Sequence, residues 1–144
     1  MGESALTATH VFAIRVYYED TDAAGIVYYA NYLKFAERAR TELMRSLGIE
    51  HSTLLAETGL AFAVRAVTAD YLAPARLDDR LEVATRLSAL RGASIEIEQV
   101  VRRGPSELVR LVLKLVCISR AGRPARIPPQ VAAALARFEP TDQP

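Results

Sequence analysis

Cysteine is almost missing from this chain. The single Cys117 excludes an intrachain disulfide and any cysteine-based metal cluster. It gives slight weight to a reducing compartment and reads as a buried, inert thiol on an apolar strand. An excess of one charge is missing too. Eighteen Lys and Arg stand against seventeen Asp and Glu, for a net charge of +1. A dedicated nucleic-acid binder needs a strong basic excess to neutralise phosphates, so nucleic acid is not an expected partner. No run of about 18 apolar residues occurs, which predicts no transmembrane helix. The start, Met1 to His10, has neither a basic region nor a continuous apolar stretch, so no signal peptide is predicted and the cytoplasm is the expected compartment. Gly-x-Ser-x-Gly is absent, and His10 and His51 stand in no triad-like motif. Both histidines read as structural or surface residues.

What is present is the composition of an ordinary globular protein, 51% hydrophobic and 24% charged. A chain of this size buries roughly 68–70% of its unfolded surface without a disulfide or structural metal. One domain over 1–144 is expected, with residues 1–8 and 139–144 as loose ends.

The periodicity changes along the chain. His10 to Tyr18 alternates, with His10, Phe12, Ile14, Val16 and Tyr18 on one face, and reads as a strand. After Asn31, a candidate helix cap, Tyr32, Phe35, Ala36, Ala39, Leu43, Met44 and Leu47 recur at helical spacing. Lys34, Glu37, Arg38, Glu42 and Arg45 line the other side at spacings that permit ion pairs. Gly48 is the stop signal. A shorter helix is predicted over about Ser52 to Glu57, ending at Gly59. Strands follow: Phe62 to Thr68, Leu81 to Leu87, Ile95 to Val101 and Leu108 to Ile118. Turns are read at Arg91-Gly92 and at Arg103-Gly104-Pro105-Ser106. The last strand is apolar on both faces apart from Arg110 and Lys114, as expected of a strand covered on both sides or facing a partner subunit. A short helix around Val131 to Phe138 closes the pattern.

This order is an α+β plan with one antiparallel sheet and one main helix. Five strands cannot fully cover a helix of that length, so self-association is expected.

Between the first strand and the long helix lies Asp20-Thr-Asp22-Ala-Ala-Gly25-Ile-Val-Tyr-Tyr29-Ala-Asn31-Tyr32. Carboxylates at such a junction stand near backbone N–H groups that lack intrahelical partners. Ionised Asp22 is suited to activate water or attack a carbonyl, and N–H groups between Gly25 and Tyr32 to hold the oxygen as it gains charge. Gly25 permits backbone shapes that other residues resist. Asp20 reads as a turn acid. Two mimics fit poorly. An EF-hand loop starting at Asp20 would need an oxygen ligand at Ala24 and a Glu at Asn31. A dehalogenase-type phosphatase would need a Thr or Val at Ala24 and an alternating strand–helix pattern.

The motif D-x-D-x-x-G-x-V-x-[HY]-x-N-Y followed by a long helix resembles the hotdog-fold acyl-CoA thioesterases, in the branch of 4-hydroxybenzoyl-CoA thioesterases and YbgC-type enzymes associated with the Tol-Pal cluster. The resemblance covers about residues 9–138. It implies a five-stranded antiparallel sheet wrapped around one long central helix. It implies hydrolysis of acyl-CoA, with Asp22 as nucleophile or general base and the Tyr29 backbone N–H on the thioester oxygen. Gly25, Val27, Tyr28, Asn31 and Tyr32 would bind substrate. Many YbgC-type members carry His where Tyr29 stands; an imidazole role is removed here, whereas a backbone donor is unaffected. Coenzyme A, or acyl carrier protein, would deliver the acyl group, and no other cofactor or metal is implied. Family members are dimers or tetramers with active sites at the dimer interface, and a homodimer or homotetramer is expected. Arg91 and Ser94, flanking a turn, are the first candidates for the coenzyme A phosphates, with Arg86, Arg103 and Lys114 behind them. A non-catalytic acyl-binding protein and a hydroxyacyl-thioester dehydratase are the alternatives on the same fold.

Overall fold

In a computed structural model, residues 9–138 are described; the expected loose ends, 1–8 and 139–144, lie outside the described residues. Strand β1 (His10–Arg15) enters a single 3-10 turn at Tyr18–Asp20 and then a loop, followed by helices α1 (Asn31–Ser46) and α2 (His51–Thr58). Strands β2 (Ala61–Tyr71), β3 (Arg80–Arg91), β4 (Ser94–Arg103) and β5 (Ser106–Ile118) follow, and helix α3 (Pro129–Ala136) comes last. The strands form one antiparallel sheet in the order β1-β3-β4-β5-β2. β1 and β2 are therefore its two edges.

Alternation decides which sheet face meets the helix. Leu81, Val83, Thr85 and Leu87 of β3, Ile95, Ile97, Gln99 and Val101 of β4, and Leu111, Leu113, Leu115 and Cys117 of β5 all point inward and are buried. They pack on the α1 stripe Tyr32, Phe35, Ala36, Ala39, Leu43 and Met44, also buried. Small Ala36 and Ala39 let the helix backbone approach the sheet closely, so that the Gln99 side-chain amide reaches the Ala36 carbonyl at 2.9 Å. The helix stops at Gly48, whose φ is +83°. Its N–H donates to the Arg45 carbonyl, and that of Ile49 to the Met44 carbonyl, a paired closure of the last turn that favours glycine there.

Four sequence expectations change. The first strand ends at Arg15 rather than Tyr18, because the Asp20 carboxylate accepts the Tyr17 N–H at 2.8 Å and curls the chain into its turn. Tyr18 is thereby thrown into solvent. Asn31 is not the cap of α1: Ala30 holds that position with no side-chain cap, and Asn31 is the first helical residue. Of the charged pairs possible on α1, Glu42–Arg45 forms, while Lys34–Glu37 and Arg38–Glu42 do not form among the described residues. Finally, of the two readings of β5, cover on both sides fails within one chain, and the partner-facing alternative is left. The outer face of β5, with Val112 half-exposed, is open.

β2 runs further than its pattern suggested and carries a bulge. Val64 pairs with Leu115 but Ala66 pairs with Lys114, so Arg65 is the extra residue. The bulge resets the alternation and leaves both Val64 and Val67 on the helix-facing side. Ala69 and Tyr71 continue that face.

Candidate active site

The loop after β1 folds back on itself. Thr21 bridges Val27, the Asp22 N–H donates to the Ile26 carbonyl at 2.9 Å, and the Tyr28 N–H donates to the Asp20 carbonyl at 3.0 Å. Gly25 closes the turn with φ +79°, a left-handed conformation that costs an L side chain energy. Two clamps hold this hairpin to the body. The Asn31 side-chain amide donates to the Asp20 carbonyl at 2.8 Å, and the Val27 N–H donates to the Ala75 carbonyl at 2.9 Å. Asp20 is buried and its carboxylate is spent on the Tyr17 N–H, in line with its reading as a turn acid.

Asp22 stands exposed on the folded-back loop. Its Oδ1 accepts the Ala24 N–H at 2.8 Å and, more weakly, the Ile26 N–H at 3.4 Å. These bonds fix the carboxylate and leave Oδ2 with no donor among the described residues. The backbone donors sort themselves equally sharply. The N–H groups of Asp22 and Ala24 through Tyr28 are all engaged within the loop or with Ala75. Those of Tyr29 and Ala30, at the start of α1, have no acceptor among the described residues. An unfilled donor at a helix start carries positive partial charge and suits a developing oxyanion.

Tyr29 is 61% exposed and stacks at an angle on Tyr28, with ring centroids 5.0 Å apart. Tyr71, at the end of β2, meets the Tyr29 ring edge-on and donates its hydroxyl to the Tyr29 carbonyl at 3.2 Å. Burial and the neighbouring Tyr29 raise the Tyr71 phenol above its ordinary pKa. Tyr71 escaped the sequence reading. The one signal for it was an aromatic on the continuing face of β2, which the bulge at Arg65 had put out of phase.

Other sequence candidates sit elsewhere. Val27 and Tyr32 are buried in the core rather than lining an open wall. The Tyr32 hydroxyl accepts the Ala75 N–H at 2.9 Å, and burial raises its pKa despite that bond. Asn31 is occupied with Asp20, as above. Arg91 and Ser94 face each other across the β3–β4 turn. β3 is 12 residues long, so this turn lies about 36 Å from the Asp22 end of the sheet. One chain therefore does not bring them together with Asp22. Arg86 is paired with Glu98 at 2.9 Å and Arg103 with Asp79 at 2.7 Å, while Lys114 and Arg91 approach Glu96 at 3.6 and 3.9 Å.

A buried polar group also lies under α1. Gln99 donates to the Ala36 carbonyl and to the Thr85 hydroxyl, both at 2.9 Å, and accepts from Arg40 at 3.1 Å. Thr85 and Gln99 are register partners on β3 and β4. Burial pulls the Arg40 guanidinium below its ordinary pKa, with Glu37 offsetting part of the effect. The signal for this group was legible: two polar residues stood on otherwise apolar strand faces.

An antiparallel sheet curled on one long helix, with a carboxylate loop at the helix start, defines the hotdog class, and solved structures of hotdog thioesterases superimpose on it. A probable thioesterase from Bartonella henselae matches with a TM-score of 0.80 at 39% identity, over 84% of this chain and 100% of that one. The gentisyl-coenzyme A thioesterase BH1999 matches with a TM-score of 0.79 at 30% identity, over 87% and 98%. The chain belongs to the Thioesterase-like superfamily, whose family profile matches residues 16–135. Among named relatives, the acyl-CoA thioesterase YbgC of Haemophilus influenzae is 46% identical over 85% of this chain and 91% of its own length.

Proposed function

We propose that the protein hydrolyses acyl-CoA thioesters to a carboxylic acid and coenzyme A, with Asp22 as the reacting carboxylate and the Tyr29 N–H on the thioester oxygen. The observation that carries the reading is the pairing of a fixed carboxylate with one open oxygen and an unfilled main-chain donor on the same folded-back loop. As general base, Asp22 takes a proton from water, and the oxygen adds to the thioester carbon. The carbon–sulfur bond then breaks, and the departing thiolate recovers the proton. As nucleophile, the carboxylate adds directly, expelling the thiolate, and water cleaves the resulting anhydride. In both routes the carbonyl oxygen gains charge facing the Tyr29 donor, a contact typically worth about 2.7–4 kcal/mol in the transition state. Tyr28 and Gly25 flank the reacting group. Coenzyme A enters as part of the substrate, and the reading calls for no other cofactor.

Two copies complete the site. Edge strand β2 offers unpaired backbone and the half-exposed Val64 and Val67. Antiparallel pairing of two β2 edges sets the start of one strand beside the end of the other. Ala61 pairs with Ile118, close to where Ser94 pairs with Val116, so the partner's Arg91–Ser94 turn comes to the Asp22 end of the first chain. That supplies the Arg91 cation and the Ser94 hydroxyl for the coenzyme A phosphates and closes solvent away from Asp22. The open outer face of β5, around Val112, is the surface for pairing dimers into a homotetramer. The working compartment is the cytoplasm, and acyl carrier protein is the other acyl donor in reach of an open loop of this kind.

Free-thiol release from a panel of short, long and aromatic acyl-CoAs, with the oligomer measured by light scattering, tests the reading. Turnover by a dimer or larger assembly is the expected result. Tight acyl-CoA binding with no thiol release at high enzyme concentration would identify a non-catalytic binder, and dehydration of a 3-hydroxyacyl thioester would identify a dehydratase.

A further inference from the structure

The cleft between β2 and α1 ends in a charged group that the hydrolytic chemistry does not use. A cavity of about 250 Å³ has apolar walls from Leu33, Val64, Val67 and Leu113, and Arg40 reaches its surface. Arg40 is only 8% exposed. Of its five N–H donors, a single one is engaged among the described residues, on the Gln99 side-chain oxygen at 3.1 Å. Glu37 lines the same cavity yet forms no ion pair with it among the described residues, and Lys34 adds a second positive charge beside it. No Arg40 nitrogen is sealed away without a partner among the described residues, so its unpaired donors open onto the cavity, where a ligand can replace water on them. The group that fits its planar fork is a carboxylate, bound through two parallel hydrogen bonds.

The reacting loop and this cavity lie along the same inner face of β2. Tyr71 and Val67 share the inner face of β2, and Tyr71 touches Tyr29. Leu33 lies in the first turn of α1. Helical side chains lean toward the N-terminus, so the guanidinium sits level with Ala36, whose carbonyl shares Gln99 with it. From Asn31 to Ala36 the helix rises about 8 Å. An extended chain covers that in roughly six or seven bonds.

We propose that Arg40 is a specificity-determining residue that binds the far carboxylate of the acyl group, so that the protein prefers thioesters of five- to seven-carbon dicarboxylic acids over unsubstituted acyl chains. The proposal rests on the thioesterase reading above and names its substrate class.

The test compares adipyl-CoA, hexanoyl-CoA and 4-hydroxybenzoyl-CoA as substrates of the full chain. The wild type is expected to show a kcat/KM for adipyl-CoA at least tenfold above that for hexanoyl-CoA. In Arg40→Met that ratio falls at least tenfold, mainly through KM for adipyl-CoA, and Arg40→Lys recovers part of it. A wild-type preference for the hexanoyl or aryl substrate overturns the proposal without any variant, and leaves the thioesterase reading standing. A ratio unchanged in folded Arg40→Met overturns it as well. If the wild type hydrolyses none of the three, the thioesterase reading fails, and calorimetric titration with free adipate and hexanoate decides on the pocket alone. Adipate binding that is weakened in Arg40→Met supports it, and equal or absent binding overturns it.

Discussion

Gln99→Leu is the substitution that most sharply tests how the helix is locked to the sheet. Leucine fills nearly the same volume, so the packing of β4 against α1 is kept and the change is almost purely polar. Three bonds disappear: one accepted from the Arg40 guanidinium and one each donated to the Thr85 hydroxyl and the Ala36 carbonyl. The bond to a charged group is worth about 1.5–3 kcal/mol and the neutral ones about 1 kcal/mol each, and the orphaned guanidinium adds a desolvation cost. The Ala36 carbonyl loses less, because it also accepts within the helix. The expected loss is about 3–4 kcal/mol, a large share of the roughly 5–15 kcal/mol that holds a domain folded. Urea unfolding measures it: with a slope of about 1.5–2 kcal/mol/M, the midpoint drops by roughly 2 M while the slope stays constant. Adding Arg40→Met to Gln99→Leu removes the orphaned charge, so the double variant should be less destabilised than the two single losses combined. A loss under about 1 kcal/mol in Gln99→Leu, or strict additivity in the double variant, would refute the reasoning.

Tyr32→Phe leaves the buried Ala75 N–H without its acceptor and should cost about 1–3 kcal/mol in denaturant unfolding. Gly25→Ala meets no atom within 4 Å, so its cost is backbone strain alone, about 1–2 kcal/mol at φ +79°; thermal unfolding and the thiol-release rate should both fall. Asp79 fixes the acid limb of stability. Burial pushes its carboxyl up, but the Arg76 N–H and the Arg103 guanidinium outweigh it and hold the pKa below the ordinary carboxylate value. Stabilisation from this group is therefore complete above about pH 4 and is lost as pH falls through the lowered folded pKa. Arg103→Met should make unfolding stability less dependent on pH over that window, as read from midpoints between pH 2 and 6.

The elements readable in the sequence were those whose period and punctuation agree. The α1 stripe, the Gly48 and Gly59 stops and the Arg103–Ser106 turn all lie where spacing and turn chemistry put them. Asp20 was legible as a turn acid because its acceptor finds nearby N–H groups in any tight loop. Asn31 was misread because its residue type suits a cap, while the folded-back loop offers its amide a better acceptor in the Asp20 carbonyl. The extent of β2 and the role of Tyr71 were hidden by the bulge at Arg65, since a single inserted residue inverts the alternation that pattern reading relies on. Arg40 belongs neither to the apolar stripe nor to the charged face read from the helical spacing, and only the inward-facing Thr85 and Gln99 hinted at a polar group beneath the helix. The distance between the Arg91–Ser94 turn and the Asp22 loop follows from strand pairing, which no local pattern encodes.

The account's central claim is that the Asp22 carboxylate performs the hydrolysis, and its most direct test is free-thiol release by Asp22→Asn and Asp22→Ala, each checked for native fold and oligomeric state. A carboxylate acting as base or nucleophile contributes about 10²–10⁴-fold, so both variants should lose that much in kcat at saturating acyl-CoA. Near-normal turnover in both folded variants would contradict the claim.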